Sequence, residues 1–157
     1  MHLVPSKFFV TSGRATSTVS DLNAFDRALH QAGISEQNLV AVSSVIPIGA
    51  EKIDITELPM GAVTHCVLSQ IRGNGGETVA AGISYAYRKD GNGGYVAEGR
   101  LRGSAKDLES ELKAKMKEMA ELRGTEFGDV TYVTEELHIP PGSHGCCIAA
   151  LVFTEYR

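Results

Sequence analysis

The sequence has no tryptophan, few cysteines and no long apolar run among its 157 residues. No apolar segment approaches the ~18 residues that a membrane helix needs, and the N-terminus lacks a basic segment followed by an apolar core. These features predict a cytoplasmic protein with no membrane partner. The three cysteines show no C-x-x-C spacing and two of them, Cys146 and Cys147, are adjacent. We therefore expect free, buried thiols.

The sequence also lacks a basic patch and a metal-binding motif. Its net charge is −4, and the lysines of residues 106–123 are interspersed with glutamates, which argues against a nucleic-acid partner. The five histidines show no i,i+4 pairing and no cysteine at ligand spacing, so no metal is expected. The glycine-rich residues 72–77 and 89–94 lack phosphate-loop spacing and predict turns. A Ser-His-Asp triad stays open from residue order alone, although no G-x-S-x-G motif is present.

Apolar periodicity predicts seven strands and two amphipathic helices. The predicted strands span residues 7–11, 38–47, 62–71, 78–87, 95–101, 130–139 and 146–156, and the predicted helices span residues 21–33 and 104–123. Ser12-Gly13 is expected to stop the first strand, and Leu22 is expected on the buried face of the first helix. Because strands outnumber helices and hairpin turns join several of them, the fold class is α+β with largely antiparallel sheets. The length fits one domain, residues 1–157.

The segment from Asn38 to Pro47 reads as a buried strand with two serines, Ser43 and Ser44, in its middle. An unpaired buried hydroxyl costs about 1–3 kcal/mol, so these hydroxyls either bond to neighbouring backbone or serve chemistry. A serine hydroxyl held against the preceding carbonyl can attack it, which gives an ester and then a broken chain. The polar residues that remain suit self-processing: Asp26, Asn38, Glu51, Glu77 and Glu98.

An ordered set of segments carries a family resemblance. These segments are residues 22–29, 32–34, 38–47, 58–62, 76–84 and 118–124. Together they resemble the pyruvoyl-dependent arginine decarboxylases of archaea and some bacteria, and the match runs from about Phe8 to Tyr156.

The resemblance implies an autocatalytic cleavage and a covalent cofactor. Ser44 would attack the carbonyl of Ser43, so the chain would divide into a β chain, residues 1–43, and an α chain, residues 44–157. Ser44 would become a pyruvoyl group, which forms a Schiff base with the substrate amine and accepts electrons as CO2 leaves. Neither pyridoxal phosphate nor a metal is then needed. The implied reaction converts L-arginine to agmatine and CO2.

The resemblance also implies residue roles and an assembly. Glu98 matches the catalytic acid, and an apolar strand environment would hold its carboxyl protonated for proton donation. Asp26 matches the residue that faces the guanidinium, whereas Asn38 and Ser43 match residues that contact the substrate or stabilise the processing intermediate. The implied fold is a four-layer αββα sandwich in a homotrimer or a dimer of trimers, with active sites between subunits.

Two alternatives remain open at this point. The pyruvoyl chemistry could act on another amino acid, since one acidic residue can meet other cationic side chains. The chain could also be an unprocessed α+β binding domain in which Ser43 and Ser44 merely bond to backbone.

Overall fold

A computed structural model describes all 157 residues and contains two helices and nine strands. The elements are β1 (Pro5–Ser17), α1 (Asp21–Ala32), β2 (Asn38–Ala41), β3 (Val45–Ile46), β4 (Glu51–Lys52), β5 (Val63–Asn74), β6 (Thr78–Tyr87), β7 (Gly94–Arg102), α2 (Ala105–Leu122), β8 (Thr131–His138) and β9 (His144–Tyr156). One sheet has the order β2-β5-β9-β1-β4 and the other has the order β3-β7-β6-β8. Only the pairs β1–β4 and β2–β5 are parallel, which confirms the predicted α+β class.

The two sheets pack face to face, and each helix covers an outer face. Alternation along β9 shows the layers, because Ile148 and Ala150 pack with α1, while Ala149 and Leu151 pack against Ile83 of the second sheet. On the far side, Leu108, Leu112 and Met116 of α2 pack against alanines of β6 and β7. The predicted four-layer αββα sandwich is confirmed.

Both predicted helices are present, and their caps follow the expected chemistry. The hydroxyl of Ser20 accepts a hydrogen bond from the Asn23 amide at the start of α1, and Gly33 ends the helix with a left-handed φ of 81°. The prediction for Leu22 is wrong, because its side chain is 62% exposed. The buried face of α1 consists of Ala24, Ala28, Leu29 and Ala32, since small residues allow the helix to lie close to the sheet.

This close packing also explains why β1 is longer than predicted. The strand passes through Gly13 and continues to Ser17, instead of stopping at Ser12-Gly13. A Cβ atom at Gly13 would collide with the backbone oxygen of Ala28 in α1. Glycine therefore marks a contact between strand and helix here, not a turn.

The segment from Asn38 to Pro47 differs most from its prediction. Its residues do not form one buried strand, because β2 is a mostly exposed edge strand of the first sheet and β3 is an edge strand of the second. Residues 42–44 carry the chain from one sheet to the other. The apolar run reads as buried because Val40 and Val45 resemble core residues, yet Val45 is 54% exposed.

No helix is long and apolar enough to cross a membrane.

Candidate active site

The peptide bond between Ser43 and Ser44 lies where the chain crosses between the two sheets, and backbone hydrogen bonds hold the chain on each side of it. The Val42 amide donates to the Cys66 carbonyl over 2.9 Å, which extends the pairing of β2 with β5. The Ser44 carbonyl accepts from the Val96 amide over 2.9 Å, which extends the pairing of β3 with β7. The Ser43–Ser44 peptide bond is thus held by one backbone hydrogen bond to each sheet.

The two serine hydroxyls and the Ser43 carbonyl have no hydrogen-bond partner within the chain. Neither the Ser43 nor the Ser44 hydroxyl makes a side-chain hydrogen bond, and no hydrogen bond engages the Ser43 carbonyl. Ser43 is exposed and Ser44 is half-buried. A hydroxyl next to a free carbonyl is what an acyl shift needs, so these residues fit the precursor of a pyruvoyl group. The alternative in which both hydroxyls bond to backbone does not describe this arrangement.

Glu98 shares a cavity of about 470 Å³ with both serines. Its partner in β6 is Ile83, a residue of the core between the sheets, so the Glu98 side chain lies on the inner face of its sheet. At this position β7 has no other neighbour, because β3 pairs only with Tyr95 and Gly94. The carboxyl therefore faces the serines across an open edge. Glu98 is exposed, so the predicted apolar enclosure is absent within one chain.

Helix α2 supplies the charged wall of this cavity, which we did not anticipate from the sequence. Lys115 donates from Nζ to the backbone oxygen of Glu98 over 2.8 Å, and Glu118 and Arg123 line the same space. The available signal was their helical spacing, which places these side chains on neighbouring turns beside Met119. Lys115 thereby holds β7 at the position of the carboxyl.

Cys66 lies next to the cleavage segment in the first sheet. Burial raises the pKa of Cys66 to about 11, and the negative charge of Glu98 adds to this effect. Cys66 follows His65 in β5, and its backbone carbonyl accepts the hydrogen bond from the Val42 amide. The backbone of Cys66 therefore supports the cleavage segment, while its thiol stays protonated at neutral pH.

A second cavity, of about 370 Å³, lies against Ser43. Its lining includes Val42, Val45, His65 and Tyr156. The His65 Nδ1 atom and the Tyr156 hydroxyl are 2.6 Å apart, and their rings meet edge to face with centroids 5.6 Å apart. Ser43 is thus a shared wall between this cavity and the one that holds Glu98. Sequence reasoning missed this pair because its members lie on strands far apart in the chain.

Two predicted site residues lie elsewhere within the chain. Asp26 is exposed on α1 and lines a cavity with Arg14, Arg27 and Gln31 that contains neither serine. Asn38 begins β2, where its side-chain amide donates to the Gly61 carbonyl over 2.9 Å. One chain therefore brings Ser43, Ser44 and Glu98 together, but it does not bring Asp26 or Asn38 to them.

No group of three or more His, Cys, Asp or Glu side chains is arranged to hold a metal ion. The polar inventory of the site consists of hydroxyl, carboxyl, amine and guanidinium groups.

Comparison with known proteins identifies the family. The model of the pyruvoyl-dependent arginine decarboxylase family matches residues 7–157. A pyruvoyl-dependent arginine decarboxylase of Methanothermobacter thermautotrophicus is 30% identical over 98% of this chain and 99% of its own. The enzyme of Methanopyrus kandleri is 33% identical over 96% and 97%. That of Methanococcus vannielii is 37% identical over 82% and 79%.

A solved structure supports the fold independently. A pyruvoyl-dependent histidine decarboxylase superposes with a TM-score of 0.51 at 14% identity, over 62% of this chain. The match spans about half of that protein, 53%, so it bears on the sandwich alone. A family match over nearly the whole chain and relatives at this identity show that the protein is a decarboxylase that belongs to the pyruvoyl-dependent arginine decarboxylase family.

Proposed function

We propose that this enzyme decarboxylates L-arginine to agmatine with a pyruvoyl group made from its own Ser44. The observation that carries the proposal is the cavity in which Ser43, Ser44 and Glu98 meet. The names of the relatives supply the substrate class. Neither pyridoxal phosphate nor a metal has a role in this scheme.

Maturation begins at the peptide bond between Ser43 and Ser44. The Ser44 hydroxyl adds to the free carbonyl of Ser43, the peptide C–N bond breaks, and the proton of the hydroxyl ends on the Ser44 nitrogen. The product is an ester. Loss of the Ser44 Cα proton then breaks the bond between Cβ and the ester oxygen, which releases residues 1–43 with a carboxylate at Ser43. Water replaces the nitrogen of the resulting dehydroalanine, so ammonia leaves and residues 44–157 begin with a pyruvoyl group.

Once formed, the pyruvoyl group would supply an electron sink for the substrate carbon that loses CO2. The residues around it bind and move protons. Glu98 is the acid that returns a proton to the substrate carbon after CO2 has left. Lys115, bonded to the Glu98 backbone oxygen, keeps that carboxyl at the open edge. Its place in the cavity with both serines supports this role for Glu98.

A complete site requires more than one chain. Asp26 is apt for a guanidinium because its two oxygens can accept two parallel N–H bonds, yet within the chain it lines a separate cavity. Asn38 also lies apart, bonded to Gly61. We assign both to substrate binding in an assembly where a neighbouring subunit brings them toward the pyruvoyl group. A homotrimer, or a dimer of trimers, is the assembly we propose.

The surface beside the cleavage segment supports this assembly. Val40 and Val63 lie on the same face of the first sheet as His65, as their pairing in β2 and β5 requires. Val63 is 65% exposed and Val40 is 40% exposed. An uncovered apolar face of this kind is typical of an interaction surface. The same proposal places the enzyme in the cytoplasm, where its three buried free thiols would stay reduced.

A substrate panel tests the activity. Purified protein is incubated with arginine, lysine, ornithine or histidine, and CO2 and amine products are measured. We expect agmatine from arginine and at least tenfold lower turnover of the others, because only arginine presents a guanidinium, whose two parallel N–H groups match the two oxygens of an acidic acceptor. Equal or better turnover of any other amino acid would overturn the arginine assignment.

A further inference from the structure

The His65–Tyr156 pair has no part in the scheme so far, although it lines the cavity on the other side of Ser43. Its short contact, 2.6 Å between Nδ1 and the phenol oxygen, and its edge-to-face ring geometry fix the imidazole. The Nε2 atom of His65 makes no hydrogen bond within the chain. The contact of Nδ1 with Tyr156 orients the His65 ring, and Nε2 is free to form a hydrogen bond with a group in the cavity.

The carbonyl oxygen of Ser43 lacks a hydrogen-bond donor. It accepts no hydrogen bond within the chain, and it gains negative charge when the Ser44 hydroxyl adds to it. A preorganised donor at such an oxygen accelerates acyl transfer strongly. The resemblance gives Asn38 either contact with the substrate or stabilisation of this intermediate, and its side-chain amide already donates to the Gly61 carbonyl. His65 and Tyr156 are donors that line the cavity on the other side of Ser43. Lys115 and Arg123 line the cavity with Glu98 and Ser44, and Lys115 already donates to the Glu98 backbone oxygen.

We propose that His65, positioned by Tyr156, donates a hydrogen bond from Nε2 to the Ser43 carbonyl oxygen during maturation. This inference rests on the proposed function, because it names the group that assists its first step. Ser44 attacks from the cavity it shares with Glu98, and the donor acts from the cavity on the other side of Ser43. The Oγ–C bond forms, the C–N bond breaks and the hydroxyl proton passes to nitrogen. The imidazole proton is shared with the oxyanion and then retained.

The chemistry of Tyr156 favours the required tautomer. Burial raises the pKa of its phenol, and a hydrogen bond from the His65 backbone opposes that effect. The phenol is therefore protonated at neutral pH, and in the proposed arrangement it donates to Nδ1. The neutral imidazole must then carry its proton on Nε2, which is the nitrogen directed away from Tyr156.

Four variants separate this donor from a packing effect. The fraction of chain cleaved is followed over time by denaturing mass spectrometry for wild type, His65→Ala, His65→Gln, Tyr156→Phe and His138→Ala. Glutamine retains an N–H donor near the position of Nε2. His138 is the matched control, since its Nδ1 atom bonds to the Thr78 hydroxyl at 2.8 Å on strands away from the cleavage segment.

We expect His65→Ala to slow cleavage on the order of a hundredfold, Tyr156→Phe to cause an intermediate loss and His65→Gln to recover most of the rate. His138→Ala should cleave like wild type. Cleavage of folded His65→Ala at the wild-type rate would overturn the inference, as would equal loss in His65→Ala and His65→Gln. If His65→Ala does not fold, an unchanged rate for Tyr156→Phe overturns it. Wild type that never cleaves would instead refute the proposed function itself.

Discussion

At the scale of single residues, the groups of the candidate site come from three different parts of the fold. Ser44 and Glu98 line one cavity, and β3 pairs with β7 over only two residues, which leaves β7 unpaired on that side at Glu98. The Ser-Ser pair interrupts an apolar run of the sequence, but its chemical role and that of Glu98 were predicted from the family resemblance. The part played by Lys115 could not be predicted, since its contact with Glu98 depends on how α2 crosses β7.

Replacing Glu98 with glutamine separates maturation from turnover. The amide keeps the size of the carboxyl but cannot donate a proton as an acid, so we expect Glu98→Gln to cleave and then to decarboxylate about 10²–10⁴-fold more slowly. Glu118→Gln, in the same cavity, is the control and should retain activity. Product formation per cleaved chain is the measurement, and wild-type turnover by Glu98→Gln would assign the acid to another residue.

The three thiols predict how stability depends on pH. Burial raises the pKa of Cys66 to about 11 and those of Cys146 and Cys147 to about 12, from 9.0. Above pH 9 the unfolded chain loses these protons while the folded chain keeps them, so the unfolded state is favoured as pH rises. We expect the free energy of unfolding to fall between pH 9 and pH 11.

Urea denaturation at pH 8 and pH 10.5 measures this effect. A Cys146→Ala/Cys147→Ala variant should lose less stability between these two pH values than wild type does. An equal loss would show that other groups cause the pH dependence.

At the scale of secondary-structure elements, the fold depends on close approach between helices and sheets. Alanines on α1 and a glycine on β1 bring the first helix onto its sheet. Hairpins and caps such as Ser20 and Gly33 were predictable, because turn and cap chemistry is local. The continuation of β1 through Gly13 was not, since that glycine serves a partner that comes later in the chain.

A substitution at Gly13 tests this packing. We expect Gly13→Ala to destabilise the fold by about 1–3 kcal/mol, because the new methyl group meets the backbone of Ala28, which cannot rotate away. Gly128→Ala is the control, since its nearest neighbour would be the Tyr87 oxygen at 3.7 Å. The denaturation midpoint is the measurement. Equal midpoints for the two variants would contradict the packing of α1 on β1.

At the scale of the whole molecule, one chain forms a complete sandwich but does not bring Glu98 and Asp26 into one cavity. Glu98 lies at an open edge and Asp26 lines another cavity, so these two predicted residues meet only if a second chain contributes one of them. Sequence alone could name them but could not place them, because residue order carries no distance between surfaces.

A charge on the uncovered apolar face tests the assembly. We expect Val63→Asp to weaken association by about 3 kcal/mol, on the order of a hundredfold in dissociation constant, because the carboxylate would be buried without a partner. Val19→Asp is the control, since Val19 is 76% exposed and lies just after the C-terminal end of β1 at Ser17. Sedimentation velocity measures the assembly. An unchanged sedimentation coefficient for Val63→Asp would place the interface elsewhere.

The most direct test of the central claim is the mass of the purified protein and of its Ser44→Ala and Ser43→Ala variants under denaturing conditions. Wild type should give two fragments, residues 1–43 and 44–157, with the larger one lighter by one ammonia than its serine form. Ser44→Ala should remain one intact chain, because the nucleophile is gone. Ser43→Ala should still cleave, since alanine also provides the carbonyl. An intact wild-type chain, or a cleaved Ser44→Ala variant, would contradict the account.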